Sequence, residues 1–431
     1  MATVITTGGQ HGDQGSDSIE IRAVRQAELA DWGRALNSGF MNAKGDGSLD
    51  YLTTQFEPGR ALGAVHRGRF VGTFRSVDRE ITLPGGRALP ANAVTNVTVA
   101  ATHRRRGLLT AMMTRDLAAA AGRGQAIAVL IAAEYRIYGR YGFGPATGRR
   151  GYAIDALRAG NVRVPAEAEG GSIELLTMEE WGKLGPEVFE LFRRNQPGAI
   201  DRRTTDWGTR TGELQYSGKE WKEPLVALYR DPAGRPAGYL TYTVKDPWTN
   251  LITQATVRVG EHIAADRAAS AALWRYALSI DWIDRLEIPS IPADDPLPLL
   301  LDDPRACVDG GNSAADFMWL RVLDAPAAFS ARSYAAPGRV VLQVSDKLGH
   351  VDGRFAIEAS ADGTGRCTAV GDDHPADVSM DASVLGTLCL SSEPAARLHA
   401  AGLLTEERPG GVARLGTLFA TDFRPWCQQS F

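Results

Sequence analysis

The run Arg104-Arg105-Arg106-Gly107-Leu108-Leu109 sets three guanidinium groups and a glycine directly before a stretch in which Leu108, Leu109, Met112, Met113 and Leu117 recur at helical spacing. Those residue types in that order suit an anion. The first N–H groups of a helix have no partner of their own, and the positive end of the helix dipole faces whatever lies before it. An arginine fork can hold phosphate oxygens in a bidentate manner, and Gly107 lets the backbone come close. Just upstream, the apolar strand Val97-Thr98-Val99 offers backbone groups to an extended, amide-bearing ligand, as a sheet edge offers them to an added strand. A ligand with a pyrophosphate at one end and a peptide-like arm at the other fits both features.

The elements that must position these groups alternate. From Ile19 to about Asp155 the pattern reads as strands and helices in turn, with strands at Arg69 to Phe74 and Ala93 to Val99. A helix is expected from Leu108 to Ala121, where the alanines favour it and Gly122 stops it. The nearly continuous apolar run Ala126 to Ala133 reads as a strand covered on both faces. Together these make a β-turn-α-β unit. The Pro- and Gly-bearing stretch Val164 to Gly171 reads as a linker, and a second αβ segment runs to about Arg305. Within it, Thr256 to Val259 and the helical stretch Ala264 to Ser279 echo Thr95 to Ala121 in order and spacing. The echo has Gly260-Glu261-His262-Ile263 where the first copy has its arginine run, so it reads as a degenerate copy without cofactor. A third segment begins near residue 310, after Asp294-Asp295-Pro296-Leu297-Pro298 and Gly310-Gly311-Asn312. It shows a helix around Ala325 to Arg332, strands at Arg339 to Val344 and Arg354 to Ile357, and helices after Ala382, after Glu393 and around Leu415 to Thr421. The fold class is thus α/β and α+β, multidomain.

Composition narrows the function classes. At 431 residues, 44% hydrophobic and 23% charged, the chain can bury several cores. A net charge of -4 and a pI near 6.0 give no basic field, so no nucleic-acid partner is expected, and a polycationic small molecule suits the balance better. The cysteines Cys307, Cys367, Cys389 and Cys427 lie far apart, which signals neither a zinc site nor a disulfide framework and suggests a reducing, cytoplasmic location. The histidines show no ligand spacing, so no metal is expected, and His103 beside the arginines reads as a solvated loop residue. No apolar run approaches the roughly 18 residues of a membrane span. Residues 1–18, rich in Gly, Thr, Gln and Asp, read as a flexible tail without a signal-peptide pattern.

Two stretches carry a family resemblance: Val97 to Leu109, and Ile137-Tyr138-Gly139-Arg140-Tyr141-Gly142-Phe143-Gly144-Pro145-Ala146-Thr147. The first resembles the phosphate loop of the GNAT acetyltransferase superfamily, with Leu109 in place of the usual last small residue. Both resemble the enhanced intracellular survival (Eis) acetyltransferases of actinobacteria, as do Asp295 to Pro298, Trp319 to Val322 and the end from Phe419 to Phe431.

The resemblance implies a catalytic GNAT domain over 19–160, a degenerate GNAT-like domain over 165–308 and a sterol carrier protein-like domain over 312–431, assembled as a homo-hexamer. It implies acetyl-coenzyme A as cofactor, held by Val97, Thr98, Val99, Arg104, Arg105, Arg106, Gly107, Leu108, Leu109, Ala133 and Tyr138. Tyr138 would be the general acid and the terminal carboxylate of Phe431 the general base. A backbone N–H of Val97 or Val99 is the natural donor to the thioester carbonyl. Ala133 stands where relatives often carry a serine, and Ser430 where they carry an acid, which removes one expected cofactor contact and one carboxylate for a cationic substrate. Trp32, Phe40, Asp46, Asp50 and Tyr51 are candidates, with Ser430, to line the substrate pocket. The implied reaction is N-acetylation of primary amines, with aminoglycosides the suggested class, and protein lysines or polyamines the alternative. A non-catalytic acyl-coenzyme A or lipid-binding module is the reading from another class.

Overall fold

The computed structural model describes residues 3–5, 18–42, 49–214, 220–245, 248–249, 252–310 and 315–431. The first domain comprises β1 (Thr3–Ile5), β2 (Ile19–Ala23), α1 (Leu29–Gly39), α2 (Leu49–Thr54), β3 (Ala61–His66), β4 (Arg69–Thr82), β5 (Ala88–Val99), α3 (Leu108–Gly122), β6 (Ile127–Ile131) and the one-turn α4 (Tyr135–Tyr138). Three residues of the segment read as a tail thus form an edge strand, pairing Thr3 with Ile21 and Ile5 with Ile19. Strands β1 to β6 lie side by side in chain order. All neighbours are antiparallel except β5 and β6, whose parallel pairing needs a crossover that α3 supplies.

The second sheet repeats this plan. Ser172–Leu176, Leu225–Arg230, Pro236–Lys245, Ala255–Ala264 and Ile283–Ile291 lie in that order, and the helix Arg267–Leu278 bridges the one parallel pair. The strand that closes each sheet comes from outside its own segment. Gly148–Asp155, placed by the sequence reading in the first domain, pairs with Ile283–Ile291 of the second. Met318–Val322, placed in the third, pairs with β6 of the first. Met318–Val322 is buried throughout and Gly148–Asp155 from Gly151 to Ile154, and a strand's pattern says that it is buried without saying beside which neighbour.

The third domain has a five-stranded sheet in the order Gly365–Val370, Gly353–Ala359, Gly338–Ser345, Val378–Asp381, Leu404–Glu406. The helices Ala325–Ala331, Ala382–Cys389, Ala395–Ala400 and Gly411–Leu418 accompany it. Its core is continuous with one face of the first sheet: Ala91, Ala93, Val129 and Leu320 pack in the same cluster as Phe329, Leu342, Leu385 and Leu388. A buried ion pair, Arg321 with Asp346, crosses the same junction. The other face of the first sheet is covered by α3, through Leu108, Met112, Met113 and Leu117 against Phe74 and Val94. Among the described residues no helix is long and apolar enough to cross a membrane.

Candidate active site

The site begins with one extra residue in β5. The antiparallel register between β4 and β5 runs Thr73↔Thr98 on one side of the irregularity and Arg75↔Thr95 on the other. Two residues of β5 therefore bulge over one of β4, and Asn96 takes the left-handed conformation (φ 54) that asparagine tolerates better than most side chains. The bulge reverses the facing of the strand. Before it, Ala91 and Ala93 face the third domain, while Asn92 donates to Asp116 of α3 at 2.6 Å. After it, Val97 and Val99 face α3, and Thr98 turns toward α1, where a Cβ on Gly39 would come within 2.4 Å of its own.

The parallel ladder to β6 also stops here, with Val94↔Leu130 as its last pair. Beyond Val94 the backbone edge of β5 has no ladder partner on the β6 side among the described residues. Val97, Thr98 and Val99 can thus offer N–H and C=O groups to an amide-bearing arm, Thr98 by its backbone alone, since its hydroxyl is engaged with Thr73 at 2.7 Å.

At the far end of β5 the chain turns into α3. Arg105 (φ 63) and Gly107 (φ 76) are both left-handed, and such residues alternating with ordinary ones gather successive N–H groups into an anion-binding hollow. A Cβ on Gly107 would meet nothing within 4 Å, so the glycine is needed for its conformation and the space in front of it is open. The first intrahelical bond is Ala111 N–H to Gly107 C=O, and no side chain caps the helix. The N–H groups of Leu108, Leu109 and Thr110 are left for a ligand. Arg104, Arg105 and Arg106 are exposed, and no carboxylate holds them among the described residues. The residues present fit a pyrophosphate.

His103 is not solvated: it is half-buried, with its Nε2 2.9 Å from Nδ1 of His66. Burial, then Arg106, then His66 hold it below the ordinary imidazole range.

Tyr138 ends α4, two turns of chain past β6, and is 7% exposed in the α3 core with its ring edge-on to Phe143. Its hydroxyl has no hydrogen-bond partner among the described residues. Burial, reinforced by Glu134 and Tyr141, pushes the phenol up to about 12. It is therefore protonated throughout the neutral range and can give a proton to a strong base formed next to it. Ala133 is exposed beyond the end of β6 and brings no polar group to the site.

Phe431 is far from Tyr138 in sequence and comes to the same opening from the other side of the sheet. Thr95, the last residue of β5 before the bulge, donates its hydroxyl to a carboxylate oxygen of Phe431 at 2.8 Å. The tail reaches this point as a strap along the loop 196–203: Trp426 N–H donates to Pro197 C=O at 2.9 Å, and the Gln428 amide to Ile200 C=O at 2.9 Å. That loop is itself bonded to β4, with Thr82 N–H on Ala199 C=O and Ile81 paired with Ile200. Trp426 is buried in the second domain, whereas Phe423 is 59% exposed, so Trp426 is what docks the strap.

Of the substrate candidates, Trp32 is displaced. It is fully buried between α1 and β3, with Nε1 donating to Leu62 C=O at 2.9 Å, because its position on the amphipathic α1 faces the core. Phe40, at the end of α1, is 55% exposed; Asp50 and Tyr51 lie on α2, exposed and half-buried; Ser430 is exposed beside the terminus. Asp46 lies outside the described residues. The sequence reading missed Thr95, Asn96 and Glu134. An asparagine inside a strand pattern was a signal for the bulge, and nothing marked Thr95.

The second sheet carries no comparable anion site. Two residues instead of eight separate its strand from its helix, and the Asp266 carboxylate caps that helix, accepting from Ala269 N–H at 2.8 Å. A fixed negative charge occupies the place a phosphate would take.

Residues 20–146 and residues 198–322 each match an acetyltransferase (GNAT) domain model, and residues 325–428 match a sterol carrier protein domain. An "Uncharacterized N-acetyltransferase" of Streptomyces avermitilis is 42% identical over 419 residues, 96% of this chain and 99% of its own. N-acetyltransferase Eis of Mycobacterium tuberculosis is 35% identical over 368 residues, 84% of this chain and 85% of its own. The crystal structure of Eis1 from Mycobacterium abscessus superposes with a TM-score of 0.81 at 32% identity, covering 95% of this chain and all of that one. A likeness of this degree over nearly the whole chain goes beyond a shared fold, and this protein belongs to the Eis family of GNAT N-acetyltransferases.

Proposed function

We propose that the chain transfers the acetyl group of acetyl-coenzyme A to primary amines of a polycationic small molecule, with aminoglycosides as the class and acetylation at more than one amine. The observation that carries this reading is the Phe431 carboxylate seated on Thr95, at the place where β5 and β6 part. The substrate amine arrives protonated and must lose a proton before it can attack. The carboxylate takes it, directly or through a water. The free amine adds to the thioester carbonyl, whose oxygen the N–H of Val97 or Val99 polarises. As the carbon–sulfur bond breaks, the departing thiolate takes the proton of the Tyr138 hydroxyl, the newly acylated nitrogen gives its second proton to water, and the phenolate is reprotonated from solvent. Base and acid stand on opposite faces of the sheet, so the amine reaches the carbonyl carbon from the side of the carboxylate and the sulfur departs toward Tyr138. Phe40, Asp50, Tyr51 and Ser430 would line the amine's approach.

The same reading makes the enzyme a cytoplasmic homo-hexamer, which sedimentation equilibrium tests. The activity is tested by following coenzyme A release with a thiol reagent, from acetyl-coenzyme A and a panel of aminoglycosides, polyamines and lysine peptides. Release that needs an aminoglycoside supports the proposal. Release with peptides or polyamines alone moves the acceptor to that class, and cofactor binding without release overturns it.

A further inference from the structure

The opening in the first sheet has a counterpart in the second. Ala255–Ala264 shifts register against its antiparallel neighbour between Thr241 and Tyr242, and its parallel ladder to Ile283–Ile291 ends at Arg258↔Glu287. The two strands then part, as β5 and β6 do past Val94. In the first domain the opening is left to a ligand, and in the second it is filled from within.

Glu261 sits at the bulge and accepts from Arg202 at 2.6 and 3.1 Å, from Arg210 at 2.8 Å and from the Tyr239 hydroxyl at 3.1 Å. Burial alone would raise its carboxyl, yet the two arginines hold it down at about 2. Arg202 is enclosed, its guanidinium 3.9 Å from the Phe189 ring centroid and 5.0 Å from that of Trp207. One carboxylate faces two guanidiniums, so donors are left over. Arg202 Nε and Arg210 Nη2 both give theirs to the amide oxygen of Gln429, at 2.8 Å each. Gln429 in turn donates to Asp201 C=O at 3.4 Å, and its own C=O accepts from the Cys427 thiol at 3.1 Å.

Gln429 stands two residues before the chain end. Two extended residues span at most about 7 Å, so whatever fixes Gln429 confines the terminal carboxylate to a small volume before Thr95 takes hold of it. We infer that Arg202, Arg210 and Glu261 form a clamp that positions the Phe431 carboxylate through Gln429: the vestigial acyl cleft of the central domain serves as the seat of the third domain's tail. This rests on the reading of that carboxylate as the general base. Gln429 is then a positioning residue that touches neither substrate nor cofactor.

The test uses the full-length protein in three forms: Gln429→Ala, Gln429→Glu, and the parent sequence extended by a short Gly-Ser segment beyond Phe431. Gln429→Ala is expected to lower kcat roughly tenfold or more while the KM for acetyl-coenzyme A stays within about twofold, because a misplaced base spoils attack and leaves the cofactor cleft alone. Gln429→Glu keeps an oxygen acceptor for both arginines and is expected to recover most of the loss. A second readout needs no acceptor: under native conditions carboxypeptidase is expected to release the terminal phenylalanine faster from Gln429→Ala than from the parent, with Gln429→Glu close to the parent. Parental kcat or parental release in Gln429→Ala overturns the clamp. So does an equal loss in both Gln429 variants, which would mark a packing role. Full turnover by the extended chain overturns the base reading itself, whereas a dead extended chain beside a fully active Gln429→Ala overturns the clamp alone.

Discussion

The hydroxyl of Thr95 donates to the terminal carboxylate of Phe431 at 2.8 Å, joining the last residue of β5 before its bulge to a chain end 336 residues away. Chain ends are ordinarily solvated and mobile. Here the end is half-buried and held by residues of all three domains. Replacing Thr95 with Val keeps the shape and removes the donor, which leaves the carboxylate less firmly placed. A fall in kcat of about ten- to hundredfold with unchanged acetyl-coenzyme A affinity is expected, in line with about 1.5 to 3 kcal/mol for a hydrogen bond to a charged group. Steady-state kinetics with both substrates varied checks it.

In the proposed reaction Tyr138 carries the second proton. Because burial pushes its phenol up to about 12, it is protonated far below that value and titrates only as the pH approaches it. No descending limb from this group is expected in kcat below about pH 10. Tyr138→Phe, which removes only the hydroxyl, should lower kcat by about a hundredfold or more with the cofactor Kd within about twofold. Equal losses in kcat and affinity would assign the ring to packing.

Gly107 separates conformation from space. Its φ of 76 is costly for any side chain, yet a Cβ there would touch nothing. Gly107→Ala should therefore strain the hollow by about 1 to 2 kcal/mol and raise the KM for acetyl-coenzyme A by about tenfold, while kcat at saturation stays near the parent value. Isothermal titration with coenzyme A measures the same change directly.

His262 governs part of the stability at low pH. It lies in the second domain with its ring stacked on Trp274 at 4.0 Å, and burial pushes it down to about 4. In the unfolded chain a histidine titrates near 6.5, so the folded state binds fewer protons between the two values. The stability it secures is complete above about pH 6.5 and is lost as the pH falls toward 4, by about 3 kcal/mol in all. Thermal melts from pH 7 to 4.5 should show this slope, and His262→Phe, which keeps a stacked ring without a proton site, should flatten it.

Much of the proposed cofactor half of the site could be read from the chain because its signals are local. Gly107, the arginines before it and the apolar spacing after it placed α3 within one residue at its end, and the echo of that unit marked the second αβ segment. The acceptor half depends on long-range geometry. Nothing near Thr95 shows that a distant terminus will meet it, and the exchange of Gly148–Asp155 and Met318–Val322 between sheets leaves no trace in the periodicity of either strand. Trp32 shows the opposite failure: the resemblance makes this N-terminal aromatic residue a binding candidate, and α1 turns it into the core.

The most direct test of the account is the turnover of a chain extended by a few residues beyond Phe431, which moves the carboxylate away from Thr95 and leaves an amide there. A loss of kcat of about a hundredfold or more, with acetyl-coenzyme A binding within about twofold of the parent, is the predicted result. Parental turnover by the extended chain would contradict it, since no carboxylate would then remain where the account places the base.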